Sequence, residues 1–139
     1  MSLFGVLSIA GSGMVAESER LSAVASNLAN ANSATSSTGQ PYRAREVVFQ
    51  AVSAREGSDA PASAGMAGVR VAAVVESSEP FRNVYDPGSS FADAKGYVKM
   101  PNVNSVDEMV NMISAQQNYQ ANLEAFNVAK TLALRTLQI

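Results

Sequence analysis

From Ser105 to Ile139 the chain contains neither glycine nor proline, and this unbroken run limits the possible folds more than any other feature. Within it, Met109, Met112, Gln116, Tyr119, Leu123, Phe126, Lys130, Ala133 and Leu137 recur at alternating spacings of three and four. That is the heptad period that sets side chains on one stripe of a helix. Ser105-Val106-Asp107-Glu108 reads as a capping box, in which a hydroxyl and a carboxylate satisfy amides left free at a helix start. At 1.5 Å rise per residue, a helix over this span is a rod of about 50 Å.

The same period occurs at the other end of the chain. From about Leu3 to Ala31, residues Leu7, Ala10, Met14, Leu21, Val24, Leu28 and Ala31 form a second seam, interrupted by Glu17. Gly5, Gly11 and Gly13 each cost about 1 kcal/mol relative to alanine in a helix interior, which predicts poor helicity here in an isolated monomer. Between the two seams the pattern changes to Ser, Thr, Gly and Pro punctuation around short β-branched runs. Glu46–Val52 and Gly68–Val75 read as strands, with shorter ones at Phe81–Tyr85 and Lys95–Met100. Asp86-Pro87-Gly88 suits a tight turn, Ala54–Gly65 reads as an exposed loop, and Tyr85, Phe91 and Tyr97 are expected to pack a small β core. The predicted fold is mainly α with a small β insertion. Long N- and C-terminal helices form an antiparallel, coiled-coil-like pair, and the middle segment is β-rich. Residues 1–32 are the N-terminal helix, 33–104 the insertion with a mobile loop near 54–67, and 105–139 the C-terminal helix.

Absences narrow the function. With no cysteine or histidine among 139 residues, a disulfide, a thiolate or imidazole metal site, a Cys nucleophile and a His-based triad are all excluded within the chain. A net charge of −2 without a basic cluster leaves no electrostatic footprint for nucleic acid. No stretch approaches the roughly 20 apolar residues that span a bilayer, so direct membrane insertion is not expected. Met1–Val15 is apolar but lacks Lys or Arg before the apolar run, so a cleaved secretory signal is not expected either. Gly11-Ser12-Gly13-Met14-Val15-Ala16 matches a G-x-G-x-x-A dinucleotide pattern, yet no acidic residue lies between Arg20 and Glu46 to bind a ribose. Asp86 and Asp93 are the nearest thing to a pair of hydrolytic carboxylates, and they read more simply as turn residues. The chain reads as a non-enzyme with no cofactor and no metal.

The outer faces of the helices are unusual. From Ser2 to Gln40 the only charges are Glu17, Glu19 and Arg20, and the second helix carries Asp107, Glu108, Glu124, Lys130 and Arg135 among many Asn, Gln, Ser and Ala. Uncharged polar side chains are cheap to desolvate, so such faces can be buried against other chains. Gln116 and Lys130, at seam positions, are candidates for fixing helix register.

Several stretches carry a resemblance. Ala25-Ser26-Asn27-Leu28-Ala29-Asn30-Ala31-Asn32-Ser33 resembles the N-terminal signature of bacterial flagellar rod and hook proteins. Gly39-Gln40-Pro41-Tyr42-Arg43-Ala44, Val47-Val48-Phe49 and above all Asp93-Ala94-Lys95-Gly96-Tyr97-Val98-Lys99-Met100-Pro101-Asn102-Val103 are similar to the proximal-rod members of that family. Tyr119-Gln120-Ala121-Asn122 with Thr136-Leu137 extends the likeness to the C-terminus. The resemblance implies a structural subunit of the basal-body rod, exported by the flagellar type III apparatus without signal cleavage and transmitting motor torque across the periplasm. Its implied partners are other flagellar rod proteins, copies of itself, and base and ring components of the basal body. The expected assembly interface comprises Met14, Leu21, Val24, Asn27, Leu28, Asn30, Met109, Met112, Tyr119, Asn122, Leu123, Phe126 and Leu137. The contrasting reading is a helical-hairpin binding module unrelated to any filament.

Overall fold

A computed structural model of the chain describes residues 3–34, 40–53 and 66–137. Its elements in chain order are α1 (Leu3–Asn30), β1 (Arg45–Ser53), β2 (Met66–Glu76), β3 (Arg82–Tyr85), β4 (Tyr97–Met100) and α2 (Ser105–Leu137). The loop expected at Ala54–Gly65 lies outside the described residues. The two helices pack along each other, and the β1–β2 hairpin lies against α1. The strands form two separate antiparallel pairs, β1 with β2 and β3 with β4.

The helix pair keeps the expected period but not all of the expected residues. On α2, Met112, Tyr119, Phe126 and Ala133 are half-buried as anticipated, whereas Met109, Gln116, Leu123 and Lys130 are exposed. Their places are taken one residue earlier by Glu108, Ala115, Asn122 and Ala129, with Ala115 wholly inaccessible to solvent. On α1, Gly13 and Asn27 are buried where Met14 and Leu28 were expected. The cause is close approach. A Cβ on Gly13 would lie 2.8 Å from Asn122 Nδ2, inside the contact limit, so small residues must face the partner helix. Larger side chains are thereby rotated to the flank or outward. α1 is unbroken through Gly5, Gly11 and Gly13, and the tertiary contact at Gly13 offsets the propensity cost that predicted a poor helix.

Asn27 joins the parts. Its side chain is 1% exposed. Nδ2 donates to the Arg45 carbonyl (2.9 Å) and to Glu108 Oε2 (3.1 Å), while Oδ1 accepts from the Tyr42 hydroxyl (3.0 Å) and the Arg45 amide (2.8 Å). One amide thus fills its complete donor and acceptor capacity and ties α1 to the approach to β1 and to the first turn of α2. Around it, Ala31, Ala44 and Val103 form a buried cluster with Tyr42 packed on its edge. Pro101 is fully buried, and Asn102 accepts from the Ala44 amide (2.8 Å) and donates to the Glu79 carbonyl (3.1 Å).

The commitment of Glu108 to Asn27 also moves the helix cap. Instead of the Ser105 capping box, Asn104 caps α2: its Oδ1 accepts from the Val106 amide (3.1 Å) and its Nδ2 donates to Asp107 (2.7 Å). In the β1–β2 ladder, Val48 pairs with Ala73 and Phe49 with Val71, which leaves Ala72 as a bulge. The hairpin is fastened to α1 by Ser12, whose Oγ accepts from the Val69 amide (3.0 Å) and donates to the Ile9 carbonyl (2.8 Å). Any side chain at Gly68, with φ +155°, would strike that hydroxyl.

In the smaller pair, Gly96 adopts φ +81°, where a Cβ would press on the Tyr85 ring. Asp93 accepts from the Lys95 (2.8 Å) and Tyr97 (2.9 Å) amides, and these bonds hold its carboxyl below the usual carboxylate range. The expected aromatic core is not there. Tyr85 and Tyr97 meet edge to face at 5.3 Å, but both are exposed, as is Phe91, and the buried residue of this pair of strands is Val98. A four-residue, two-stranded ribbon has no second layer to bury rings against.

Four substitutions test this packing. Asn27→Ala orphans the Glu108 carboxylate, the Arg45 backbone groups and the Tyr42 hydroxyl, and should lower the unfolding free energy by about 3 kcal/mol, read as a lower urea midpoint at unchanged slope. Gly11 has nothing within 4 Å of a built Cβ, so Gly11→Ala should stabilise by about 1 kcal/mol, whereas Gly13→Leu should destabilise by about 2 kcal/mol by forcing the helices apart. Burial, more than the neighbouring charges, raises the Tyr42 hydroxyl above its ordinary value of 10.0. Because the folded value lies above the unfolded one, this contribution to stability is complete below about pH 10 and is lost as pH rises through the folded value. Tyr42→Phe should flatten that alkaline slope in pH-dependent denaturation.

Candidate assembly surface

The chemical motifs resolve into structural roles. Gly11-Ser12-Gly13 lies in mid-helix, with Ser12 bonded to Ile9 and Val69, so no strand-turn-helix phosphate loop exists there. Asp86 accepts from the Gly88 amide (3.3 Å) and Asp93 from two amides of its own loop, so both carboxylates serve turns. Among the described residues, no cluster of His, Cys, Asp or Glu could hold a metal, and no helix is long and apolar enough to cross a membrane.

The outward face of α2 is rich in exposed apolar side chains. Val106, Val110 and Ile113 follow one another at spacings of four and three along the first half, flanked by Met109. Leu123, Val128, Leu132 and Leu134 continue the apolar exposure over the second half. All eight are at least 41% exposed. A helix that is apolar toward its partner and again toward solvent has the character of one buried on several sides. On α1, Phe4 is 81% exposed and Val15 is also exposed. Where the start of α1 meets the second half of α2, Leu3, Val6, Ala121, Ala125, Val128 and Leu132 line an apolar groove of about 510 Å³.

The residues expected to mediate assembly divide between two places. Val24 and Asn27 are buried within the chain, and Met14, Leu21, Leu28, Asn30, Met112, Tyr119, Asn122 and Phe126 are half-buried. Met109 and Leu123 face outward. Leu137 closes α2, and its side chain lies outside the described residues. Asn30 donates to the Ser26 carbonyl (2.8 Å) and accepts from the Ser33 hydroxyl, which finishes the last turn of α1. Reading one heptad stripe missed Val106, Val110, Ile113, Val128, Leu132 and Leu134. Their signal is in the sequence all the same, as large apolar residues at positions off the stripe where a solvated helix would carry Lys or Glu.

Comparison with known proteins gives this surface a context. Residues 7–35 match the family model described as flagella basal body rod protein, and residues 94–139 match the C-terminal model of the flagellar basal body rod FlgEFG proteins. Proteins named flagellar basal-body rod protein FlgC are similar over the whole chain: one from Escherichia coli O6:H1 is 52% identical and one from Salmonella typhimurium 51% identical, each over 100% of this chain and 98% of its own length. One from Aquifex aeolicus is 41% identical over 99% of this chain and 97% of its own. The two family matches fall on α1 with its signature and on the β4–α2 segment, the elements that meet at Asn27 and Glu108. On that likeness over the full chain, it belongs to the FlgC family of flagellar basal-body rod proteins, structural subunits of the rod rather than enzymes.

Proposed function

We propose that this subunit polymerises through the outward faces of its terminal helices to build the proximal part of the rod, where it transmits motor torque across the periplasm. The observation that carries the reading is the exposed apolar stripe of α2 from Val106 to Leu134, on a helix with only five charged side chains. Burying such a face against neighbours supplies stability that a narrow two-helix seam lacks. Close packing on several sides also resists shear, which is the mechanical property a drive shaft needs.

Within the subunit, the helices act as an antiparallel, coiled-coil-like pair. Asn27 bonds Glu108, Glu17 bonds Asn118 and Gly13 abuts Asn122, so positions descend on α1 as they ascend on α2. Residues 1–32 and 105–139 form the rod core, and residues 33–104 form an insertion that orients the subunit. Val24, Asn27 and the half-buried seam residues preform the pair, while Met109 and Leu123 contact the neighbours directly. Those neighbours are other rod proteins, copies of this chain, and base and ring components of the basal body. The route to the periplasm is flagellar type III export without signal cleavage, to which a cysteine-free chain with little charge is suited.

The double variant Val110→Asp/Ile113→Asp should keep its far-UV circular dichroism and its stability to within about 0.5 kcal/mol, because both side chains are exposed in the subunit. It should fail to restore swimming or isolable rods to a strain lacking the native gene. Removing Leu123–Ile139 should also abolish rods. Normal rods from either variant would refute assembly through α2.

A further inference from the structure

The position of the α2 stripe along α1 depends on how the two helices are registered, and the seam itself discriminates poorly between registers. Apart from its polar layers it presents mainly Gly and Ala at close approach, at Ala10, Gly13, Ala16, Ala115 and Ala129. If α2 slid by one heptad, Gly13 would meet Ala129 or Ala115 in place of Asn122, and either is small enough to fit. Gln116 and Lys130, the sequence candidates for fixing register, are both exposed and off the seam.

We propose that Glu17 and Asn27, two buried polar residues on α1, act as a register key for the helix pair through Asn118 and Glu108 on α2. Glu17 Oε1 accepts from Asn118 Nδ2 (3.2 Å), and Asn27 Nδ2 donates to Glu108 Oε2 (3.1 Å). The two contacts are ten residues apart on each helix, so both are made in the same register. A slip of one heptad in one sense sets Glu17 opposite Ala125 and Asn27 opposite Ala115, and both polar groups lose their partners. A slip in the other sense leaves Glu17 near Asn111 but sets Asn27 opposite Pro101, before the helix begins. Asn27 also holds Tyr42 and Arg45, so the same key fixes the insertion against the helices.

The chemistry of Glu17 suits specificity better than stability. Its Oε2 is buried without a hydrogen-bond partner, and the nearest cation is the Arg20 guanidinium at 3.8 Å. A half-satisfied buried carboxylate is a poor stabiliser compared with a leucine of similar bulk, but a leucine carries no register information. Stability and register should therefore respond differently to substitution.

The inference rests on the antiparallel pairing proposed above, and the test separates the two. The chain has no native cysteine, so introduced pairs report without background. Continuing the observed steps along both helices, Ala10→Cys/Ala125→Cys reports the native register, while Ala10→Cys/Leu132→Cys and Ala16→Cys/Met112→Cys report the two slips and leave the key residues in place. In the otherwise native chain, oxidation should form the first crosslink at least about tenfold faster than the others. Adding Glu17→Leu and Asn27→Leu together should bring the native pair and at least one slipped pair to within about threefold. Glu17→Leu alone, which leaves the Asn27 network in place, should weaken the preference without lowering the urea midpoint, and Glu17→Gln should restore it. An undiminished tenfold preference in the Glu17→Leu chain and in the double variant, with helicity retained, would overturn the key. If the double variant does not fold, an undiminished preference in Glu17→Leu alone overturns it. Failure of the native-register pair to crosslink in the otherwise native chain would refute the antiparallel pairing itself, and the key with it. None of these readouts depends on rod assembly.

Discussion

One side-chain amide is the point on which the structure turns. Asn27 sits where the last turns of α1, the approach to β1 and the first turn of α2 converge, and it bonds to all three. A buried amide is stabilising only when its full donor and acceptor capacity is met, and each missing partner brings a desolvation cost. Here the partners come from elements far apart in sequence, so the amide is satisfied only when the helix pair and the insertion are correctly assembled together. That dependence explains several local choices. Glu108 leaves the capping box to Asn104 because its carboxylate is needed across the seam, and Tyr42 packs beside Ala31, Ala44 and Val103 with its hydroxyl aimed at the same amide.

Close approach is the second organising constraint, and it connects the interior to the surface. When Gly13 and Ala115 occupy the seam, neighbouring large side chains cannot occupy it too. Val106, Val110, Ile113, Val128 and Leu132 are left on the outside of α2, and an apolar outer face on a nearly uncharged helix is unfavourable for an isolated subunit and useful for one embedded among others. The interior of the subunit and the apolar outer face of α2 are thus two results of one steric fact. The hairpin extends the same logic, since Ser12 and Gly68 allow β2 to lie tightly against α1 without side-chain bulk between them.

Much of this was legible in the residues. Over the described residues both helices and all four strands fall on the expected stretches, with β1 and β2 running one or two residues beyond theirs, because period and turn chemistry are local properties. The heptad seam was half legible: Met112, Tyr119, Phe126 and Ala133 were placed correctly, but a pattern weighted toward bulk selected Met109 and Leu123 over Glu108 and Asn122. The aromatic residues near the small hairpin misled for a related reason, since Tyr85, Phe91 and Tyr97 look like core material but are exposed, while Val98 is the residue the ribbon buries. For the exposed apolar face, the scarcity of charge was readable, but which side of α2 carries it was not.

The sequence by itself determined that two long helices flank a β-rich insertion, that no catalytic or metal-binding chemistry built on cysteine or histidine is available, and that the helix faces are suited to burial. These follow from period, from missing residue types and from the cost of desolvation, each a property of residues one at a time or of near neighbours. Only the tertiary structure decided which stripe of each helix turns inward, that Asn27 and Glu17 are interior residues, and that Asn104 rather than Ser105 caps α2. The reason is that burial of a small or polar residue depends on what stands opposite it. Gly13 needs Asn122 and Asn27 needs Glu108, and such pairings between distant positions exist only once the chain has folded.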